Sequence, residues 1–397
     1  MANRWGILAA LSFARVGMGF QFQTVAATAP LLSDRLGFDK AQIGWLIGLY
    51  LLPGVLVALP GGMLGARFGD KRMALIGLAM MILGGIGFAA SESIGGASVA
   101  RAVMGVGAVL MNVLLFKMTT DWFAGKEMVL AMSILVNTWP IGVGLALLGQ
   151  GALALAVSWQ SAFLATSMLA AIGMVVIWLV YRPAAGAPAA QTVDLAALSA
   201  SEWKILIFAS LPWALYNAPY LLIVAFLPSY LVEQGHSIVT AGGLTAINTL
   251  LAIVSVQAGG ILVQRFGHPD RLAFASLAGI VVAMVGLINS ESPLPWIIAS
   301  GLVAGLPAGV FASLPGEALR AESRATGMGI SYTIFYAGTA AAPVIGGALA
   351  KHLGSSAAPL WMAAALVVVC AAAHAVFRGL QRGTPGAGQA VHARRNP

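Results

Sequence analysis

Twelve long apolar stretches divide the sequence, and few charged residues interrupt them. Because a helix needs about 20 apolar residues to cross a bilayer, each stretch predicts one membrane span. Only 9% of the residues are charged, whereas a soluble domain has about 25%. The sequence therefore predicts an all-α membrane protein with twelve transmembrane helices. The predicted spans are 6–32, 41–66, 72–90, 95–119, 127–153, 159–181, 203–232, 238–264, 271–290, 294–317, 325–350 and 357–377.

Basic residues gather in alternate loops, which predicts an orientation. With the N-terminus inside, 15 of the 21 Lys and Arg residues fall in cytoplasmic loops and tails, and Arg35, Lys40 and Lys351 fall outside. Because cytoplasmic loops are enriched in Lys and Arg, we expect both termini in the cytoplasm and the protein in the plasma membrane, the inner membrane of a bacterium. The first stretch is too long for a signal-peptide core, so we expect a retained helix. The net charge of +8 does not indicate nucleic-acid binding, since the basic residues lie at the ends of apolar runs.

The chain contains an internal repeat with a shift of 198 residues. Gly61 and Gly62 match Gly259 and Gly260, and the Arg-Phe-Gly at 67–69 matches the Arg-Phe-Gly at 265–267. A shift of half the length predicts two six-helix repeats that run parallel to one another. We expect an N-terminal half at 1–181, a cytoplasmic linker at 182–202, a C-terminal half at 203–378 and a polar cytoplasmic tail at 379–397.

A motif between the second and third spans carries a family resemblance. Its residues are Gly62, Arg67, Gly69 and Arg72, and the second half repeats it with Gly260, Arg265 and Gly267. This pattern resembles the signature of the major facilitator superfamily, where it forms a cytoplasmic latch. The family's acidic residue before the latch arginine is Ala66 here and Gln264 in the second copy. Asp70 or Asp121 is then the candidate substitute in the latch network.

Two further motifs extend the resemblance over the whole chain. Arg101 with Gly105 resembles the family's helix 4 signature, and Trp159 followed by Gln160 and Phe163 resembles the opening of helix 6. The resemblance implies alternating access, a cavity lined by helices 1, 4, 7 and 10, and a monomer. The Trp139-Pro140 pair and a lone Arg15 resemble the cyanate and nitroimidazole transporter branch.

Arg15 is the leading candidate for substrate binding. It lies about 15 Å into the first helix at 1.5 Å per residue, near the bilayer midplane. Charges at that depth usually serve a function, and the planar guanidinium suits a carboxylate. Gln23 lies on the same helix face. The alternative is a structural arginine bonded to the backbone carbonyls of a broken helix.

Helix 4 offers two more candidates. Arg101 and Asn112 share one face with Gly105, so Arg101 could guide an anion inward, although a structural or coupling role is an equal alternative. Lys117 points away from that face and is expected to extend to the interface. A gate bond from Lys117 to Glu317 is the other possibility.

The second half offers polar but uncharged candidates. We expect these side chains to contact the uncharged end of a small polar ligand, although each tyrosine alone could be a core residue. They are Tyr216, Asn217, Tyr220, Asn248, Tyr332 and Tyr336.

The sequence shows no catalytic or cofactor-binding pattern. The five histidines are scattered, and no metal-ligand spacing or Ser-His-Asp set is present. We therefore expect no enzyme activity, no cofactor and no metal site.

The most favoured function is secondary transport of a small anionic solute, such as an organic acid. No Asp or Glu lies at mid-depth, which disfavours a drug exporter with a cationic substrate. A carrier of sugars or other neutral solutes would use the tyrosines and amides but would not need Arg15. A membrane receptor or scaffold would need neither a charged cavity residue nor two latch copies.

Overall fold

The protein is built from α-helices. A computed structural model describes residues 3–123, 127–184, 198, 200–318 and 324–383. The helices are α1 (Arg4–Ala27), α2 (Ala29–Leu36), α3 (Lys40–Leu49), α4 (Gly54–Phe68), α5 (Asp70–Ala89), α6 (Ile94–Phe123), α7 (Met128–Ala156), α8 (Trp159–Val180), α9 (Ala200–Glu233), α10 (Ile238–Phe266), α11 (Pro269–Asn289), α12 (Pro293–Ala304), α13 (Ala308–Glu317), α14 (Arg324–Leu353) and α15 (Ala357–Gly383).

The helices account for the predicted membrane spans. Within the described residues, 11 helical segments are long and apolar enough to cross a bilayer. Helix α1 has 24 residues and supplies the twelfth, although Arg15, Gln21 and Gln23 lower its hydropathy. The predicted all-helical, twelve-span membrane architecture is therefore confirmed.

Three of the predicted spans are broken rather than continuous. The first is interrupted at Thr28, before Pro30 in the first turn of α2. The second is interrupted between α3 and α4, where Pro53 precedes α4, and the tenth between α12 and α13, where Pro307 precedes α13. Proline has no N–H for the helical ladder, so it favours the start of a new helix over continuation of the old one.

The two halves share their turn geometry. Gly37 and Gly235, which the 198-residue shift brings together, both have positive φ, and so do Gly69 and Gly267. Only glycine adopts such angles without steric cost, so the repeated glycines fix equivalent turns. Most of the predicted linker and the part of the predicted tail beyond Gly383 lie outside the described residues. Helix α15 extends to Gly383, so the first residues of that tail are helical, with Gln381 accepting a hydrogen bond from Arg378.

Small residues bring the two halves into contact. A Cβ atom at Gly44 of α3 would collide with the carbonyl oxygen of Pro343 and the Cα of Gly347 on α14. A Cβ at Gly242 of α10 would collide with the carbonyl oxygen of Leu147 on α7. Lipid supplies no hydrophobic force between helices, so close backbone approach through glycine stabilises this seam.

Two ion pairs cross the seam at the end of the bundle away from the termini. We call Asp39, Lys40, Glu233 and Lys351 the distal clasp. Lys40 Nζ lies 2.6 Å from Glu233 Oε1, and Lys351 Nζ lies 2.9 Å from Asp39 Oδ2. Each half contributes one acid and one base, so the two halves are joined at this end.

The clasp residues also bind the neighbouring turns. Glu233 accepts hydrogen bonds from the backbone N–H and the hydroxyl of Ser356, at 2.9 and 2.7 Å. Asp39 caps α3 by accepting from the N–H of Gln42 at 2.9 Å. Burial raises the pKa of Asp39, but the hydrogen bonds from Lys351 and Gln42 outweigh it, so the pKa of Asp39 lies below its ordinary value. The carboxylate therefore remains charged at neutral pH, and its stabilising contribution is lost only in strong acid.

The clasp predicts that a charge reversal opens this end of the seam. The reporter protein carries Cys370→Ser, which removes the native thiol, and Ala340→Cys, which places a new thiol at the seam. Position 340 is buried there against Gly48. Lys351→Glu would place two acids together, so we expect maleimide labelling of the new thiol in detergent to accelerate by about two- to fivefold, the upper range for an exposed ion pair. Arg35→Glu, which changes a charge near the same end without an ion pair among the described residues, is the control. Equal labelling rates in the two variants would show that the clasp does not hold the seam closed.

Candidate binding site

A cavity of about 270 Å³ lies between the two halves. It is lined from the first half by residues of α1, α6 and α7 and by Leu51 between α3 and α4, and from the second half by residues of each helix from α9 to α15. Seven of the predicted binding residues line it: Arg15, Asn112, Tyr216, Asn217, Tyr220, Asn248 and Tyr336. The structure therefore brings together polar residues that are up to 321 positions apart (336 − 15).

Arg15 is held in place by the first half. Its Nη1 donates to the carbonyl oxygens of Leu135 and Val136 at 2.7 and 2.8 Å. In a regular helix Val136 would accept from the N–H of residue 140, but that residue is Pro140 and has no N–H. The proline thus leaves an unpaired carbonyl inside the membrane, and Arg15 satisfies it.

The remaining part of the Arg15 guanidinium is available to a ligand. Nε donates to Asn112 Oδ1 at 2.9 Å, whereas Nη2 makes no hydrogen bond to any described residue. A guanidinium has five N–H donors, and the two on Nη2 are the ones left over. Arg15 is also the only charged side chain among the described residues that line the cavity. The cavity therefore has a positive charge with no acidic partner.

Asn112 links the two halves across the cavity. Its Oδ1 accepts from Arg15, and its Nδ2 donates to the hydroxyl oxygen of Tyr336 at 3.2 Å. Tyr336 belongs to α14, and its ring packs against Gly54, where a Cβ would collide with it. The orientation of Arg15 therefore depends on a residue that also contacts the opposite half.

The second half presents amides that are fixed by backbone bonds. Asn217 Nδ2 donates to the Trp213 carbonyl at 2.8 Å, and Asn248 Nδ2 donates to the Ile297 carbonyl at 3.1 Å. The hydroxyl of Tyr216 donates to the Ala304 carbonyl at 2.6 Å. Ala304 is the last residue of α12. In a continuous helix its carbonyl would accept from the N–H of Ala308, but that N–H donates to the Gly305 carbonyl. The break between α12 and α13 therefore leaves the Ala304 carbonyl free to accept from Tyr216.

Aromatic rings form part of the cavity wall around these polar groups, together with aliphatic side chains. Trp213 lies 5.9 Å from Tyr216 and 6.0 Å from Phe335 between ring centroids, with both pairs stacked. Trp139 and Tyr336 also line the cavity. Such a surface favours a flat or apolar body and leaves few positions for polar atoms.

Three predicted binding residues do not line the cavity. Gln23 is fully buried and donates to the Val224 carbonyl at 2.6 Å, which joins α1 to α9. Tyr332 lies on α14 and is 46% exposed, but it is not on the outside of the bundle. Its ring centroid lies 6.5 Å from that of Phe335, which lines the cavity, and it is near enough to Arg15 for an electrostatic interaction. Arg101 is the third.

Arg101 is enclosed within the first half. It is 0% exposed and donates to the carbonyls of Leu46 at 2.9 Å, Gln21 at 3.1 Å and Phe22 at 2.6 Å. Its guanidinium carbon also lies 4.4 Å from the centroid of the Tyr50 ring. These contacts join α6 to α1 and α3, as a structural arginine would.

The predicted latch residues lie at the terminal end of the bundle, where α1 begins and α15 ends. Gly62 and Arg67 belong to α4, Gly69 and Gly267 are turn residues with positive φ, and Gly260 and Arg265 belong to α10. Arg67, Arg72 and Arg265 are exposed and form no ion pair with a described residue. These side chains do not join the halves in this conformation.

The candidate acidic substitutes pair within the first half. Lys117 pairs with Asp70 and lies 3.3 Å from Asp121. Glu317 does not contact Lys117; it pairs with Arg378 at 2.6 Å. The possible gate bond between Lys117 and Glu317 is therefore not present in this structure.

Asn137 is a cavity residue that the sequence analysis did not single out. It lines the cavity, is half-buried and makes no hydrogen bond to a described residue. The signal that could have found it is Pro140, because proline inside a membrane helix marks backbone that lines a cavity.

Comparisons with known proteins agree on one family. The model described as "Major Facilitator Superfamily" matches residues 11–319. The chain is 28% identical over 344 residues to the 3-(3-hydroxy-phenyl)propionate transporter of Escherichia coli (strain K12), covering 83% of each chain. It is 26% identical over 363 residues to the multidrug efflux protein YfmO of Bacillus subtilis (strain 168), covering 89% of this chain and 87% of the relative. Its fold matches the crystal structure of the nucleoside transporter NupG with a TM-score of 0.75 at 15% identity, covering 95% of this chain and 100% of the other.

Proposed function

Because the chain belongs to the Major Facilitator Superfamily, we propose that it carries a small organic anion across the membrane by alternating access. The family and the relatives are transporters, so the protein is a membrane transporter and not an enzyme.

The free Nη2 of Arg15 carries the argument for an anion. A buried charge without a counter-ion is costly in a membrane, and the described cavity residues offer no carboxylate. A bound carboxylate would accept from Nη2, and the bonds of Nη1 and Nε would hold the guanidinium in place. Arg15 is in this way both bonded to a helix whose hydrogen-bond ladder is interrupted at Pro140 and open to a ligand, so the two roles that the sequence offered are compatible.

The aromatic wall supports an organic body on the anion. Trp139, Trp213 and Phe335 would exclude water from the cavity and contact an apolar or planar group. The relative described as a 3-(3-hydroxy-phenyl)propionate transporter supports an aromatic carboxylate as the type of solute. The looser resemblance to the cyanate and nitroimidazole branch would favour a smaller anion.

The same family includes carriers of other solutes. The similarity to a multidrug efflux protein favours a drug as the second candidate. A lipophilic cation would meet Arg15 without a carboxylate to offset the repulsion, which weighs against cationic drugs. A sugar-like solute would use Asn217 and Tyr220 but would leave Arg15 unpaired. A non-transporting receptor or scaffold would need no such cavity.

Location and assembly follow from the same proposal. We place the protein in the plasma membrane, the inner membrane of a bacterium, with both termini and the basic latch arginines Arg67, Arg72 and Arg265 in the cytoplasm. The distal clasp then closes the outer end of the pathway. We propose that the protein acts as a monomer, surrounded by lipid.

Ligand-induced stabilisation tests the proposal. Purified protein would be melted with aromatic monocarboxylates, dicarboxylates, cyanate, sugars and lipophilic cations, since a ligand of the folded state raises the melting temperature. We expect aromatic monocarboxylates to stabilise the wild type. Arg15→Gln should weaken their binding by about 10- to 100-fold, which corresponds to the loss of a charged hydrogen bond. Arg67→Gln, which removes an exposed latch charge, is the control and should bind as the wild type does. Stabilisation by a sugar or a cation that persists in Arg15→Gln would refute the anion proposal.

Pro140 gives an independent test of how Arg15 is positioned. Pro140→Ala supplies an N–H for Val136, which competes with Arg15 Nη1 for the same carbonyl. Because proline in a helix interior costs about 3 kcal/mol, we expect the ligand-free melting temperature to stay the same or rise. The affinity for the anion should nevertheless fall.

Pro228→Ala on α9 is the matched control for this change. Pro228 also lies inside a helix but does not line the cavity, so its replacement should leave affinity unchanged. Unchanged affinity in Pro140→Ala would show that the freed carbonyl does not position Arg15.

A further inference from the structure

Asn217 presents an unused hydrogen-bond acceptor to the cavity. The residue is half-buried on α9, between Pro212 and Pro219, and lines the cavity. Its Nδ2 donates to the Trp213 carbonyl one turn earlier, at 2.8 Å. This bond identifies which amide atom is the nitrogen and fixes the plane of the group. No described residue donates to Oδ1, so the oxygen has no partner in the part of the chain that the structure describes.

Two other amides of the cavity, Asn112 and Asn248, differ in this respect. Asn112 uses its oxygen for Arg15 and its nitrogen for Tyr336. Asn248 also donates to a carbonyl through its nitrogen, but the residue is only 2% exposed and gives a ligand little access. Among the described residues of the second half that line the cavity, Asn217 therefore has the more accessible amide oxygen.

The fixed polar groups of the two halves differ in kind. The first half offers the positively charged donors on Nη2 of Arg15, beside the unbonded amide of Asn137. The second half offers the acceptor oxygen of Asn217, fixed by the bond to Trp213, beside the hydroxyl of Tyr220. An anion bound at Arg15 that also reaches α9 would therefore meet an acceptor, and an acceptor favours a donor on the ligand.

We infer that the transported anion is a monocarboxylate that carries a hydrogen-bond donor, such as a ring hydroxyl, and that Asn217 Oδ1 selects that group. This inference rests on the proposed function. A site that bonds a hydroxyl discriminates against an analogue without it, because the buried protein group is then left unpaired. In a dicarboxylate, a second carboxylate would take the place of the hydroxyl. The Asn217 oxygen would repel it, so dicarboxylates are rejected.

The test compares ligands that differ by one hydroxyl. Dissociation constants would be measured by calorimetry on the purified full-length protein, with phenylpropionate and its three ring-hydroxylated isomers as probes. We expect at least one isomer to bind the wild type about tenfold or more tightly than phenylpropionate. In Asn217→Leu, a change of similar size, that isomer should bind no better than phenylpropionate, and phenylpropionate itself should bind at least as well as it does to the wild type.

Matched variants separate this inference from the proposed function. Arg15→Gln should weaken all four compounds by the same factor, because the carboxylate is common to them. Asn137→Leu removes a cavity amide of the first half that makes no hydrogen bond to a described residue, and it should leave the preference for the hydroxyl intact. Asn217→Ala serves as a second variant, and the ligand-free melting temperature of each variant verifies its folding.

Each outcome has one meaning. Loss of the preference in both Asn217 variants supports the inference. Arg15-dependent binding of all four compounds without a preference in the wild type, or a preference that persists in Asn217→Ala, overturns it and leaves the proposed function in place. If no compound binds the wild type but other anions do so through Arg15, the inference fails alone. If no anion binds, the proposed function fails, and the inference fails with it.

Discussion

The pairing of Arg15 with the carbonyls of Leu135 and Val136 is the interaction on which the site depends. Neither an unpaired carbonyl nor an unpaired guanidinium is stable in a low-dielectric bundle, and each satisfies the other. Pro140 leaves the Val136 carbonyl without its helical partner, and Asn112 accepts from Nε, so that Nη2 alone stays open to a ligand. A local defect in one helix therefore stabilises a charge on another, and the charge gives the cavity its polarity.

The helical architecture could be predicted because the bilayer constrains it so strongly. A spanning segment must satisfy its backbone internally and match the hydrocarbon thickness, so an apolar run such as 357–377 has one reasonable interpretation. The breaks before Pro53 and Pro307 were not predicted. A proline in a membrane helix can be accommodated or can begin a new helix, and the neighbouring helices decide between these outcomes.

The site was partly predictable, for a related reason. Depth and residue type identified Arg15 and Asn112, both of which line the cavity. The same criteria also selected Arg101, but its partners are the carbonyls of Leu46, Gln21 and Phe22, and no sequence pattern reveals them. The distal clasp was missed because Lys40 and Lys351 read as ordinary loop charges until the fold places Glu233 and Asp39 beside them.

The partners of Arg15 have a consequence for how cargo would move. Asn112, Leu135 and Val136 all belong to the first half, and only the bond from Asn112 to Tyr336 reaches the second. An ion bound to Arg15 would thus stay with the first half while the second half moved past it. Exposure of the cargo could then alternate between the two faces of the membrane without breaking its strongest contact.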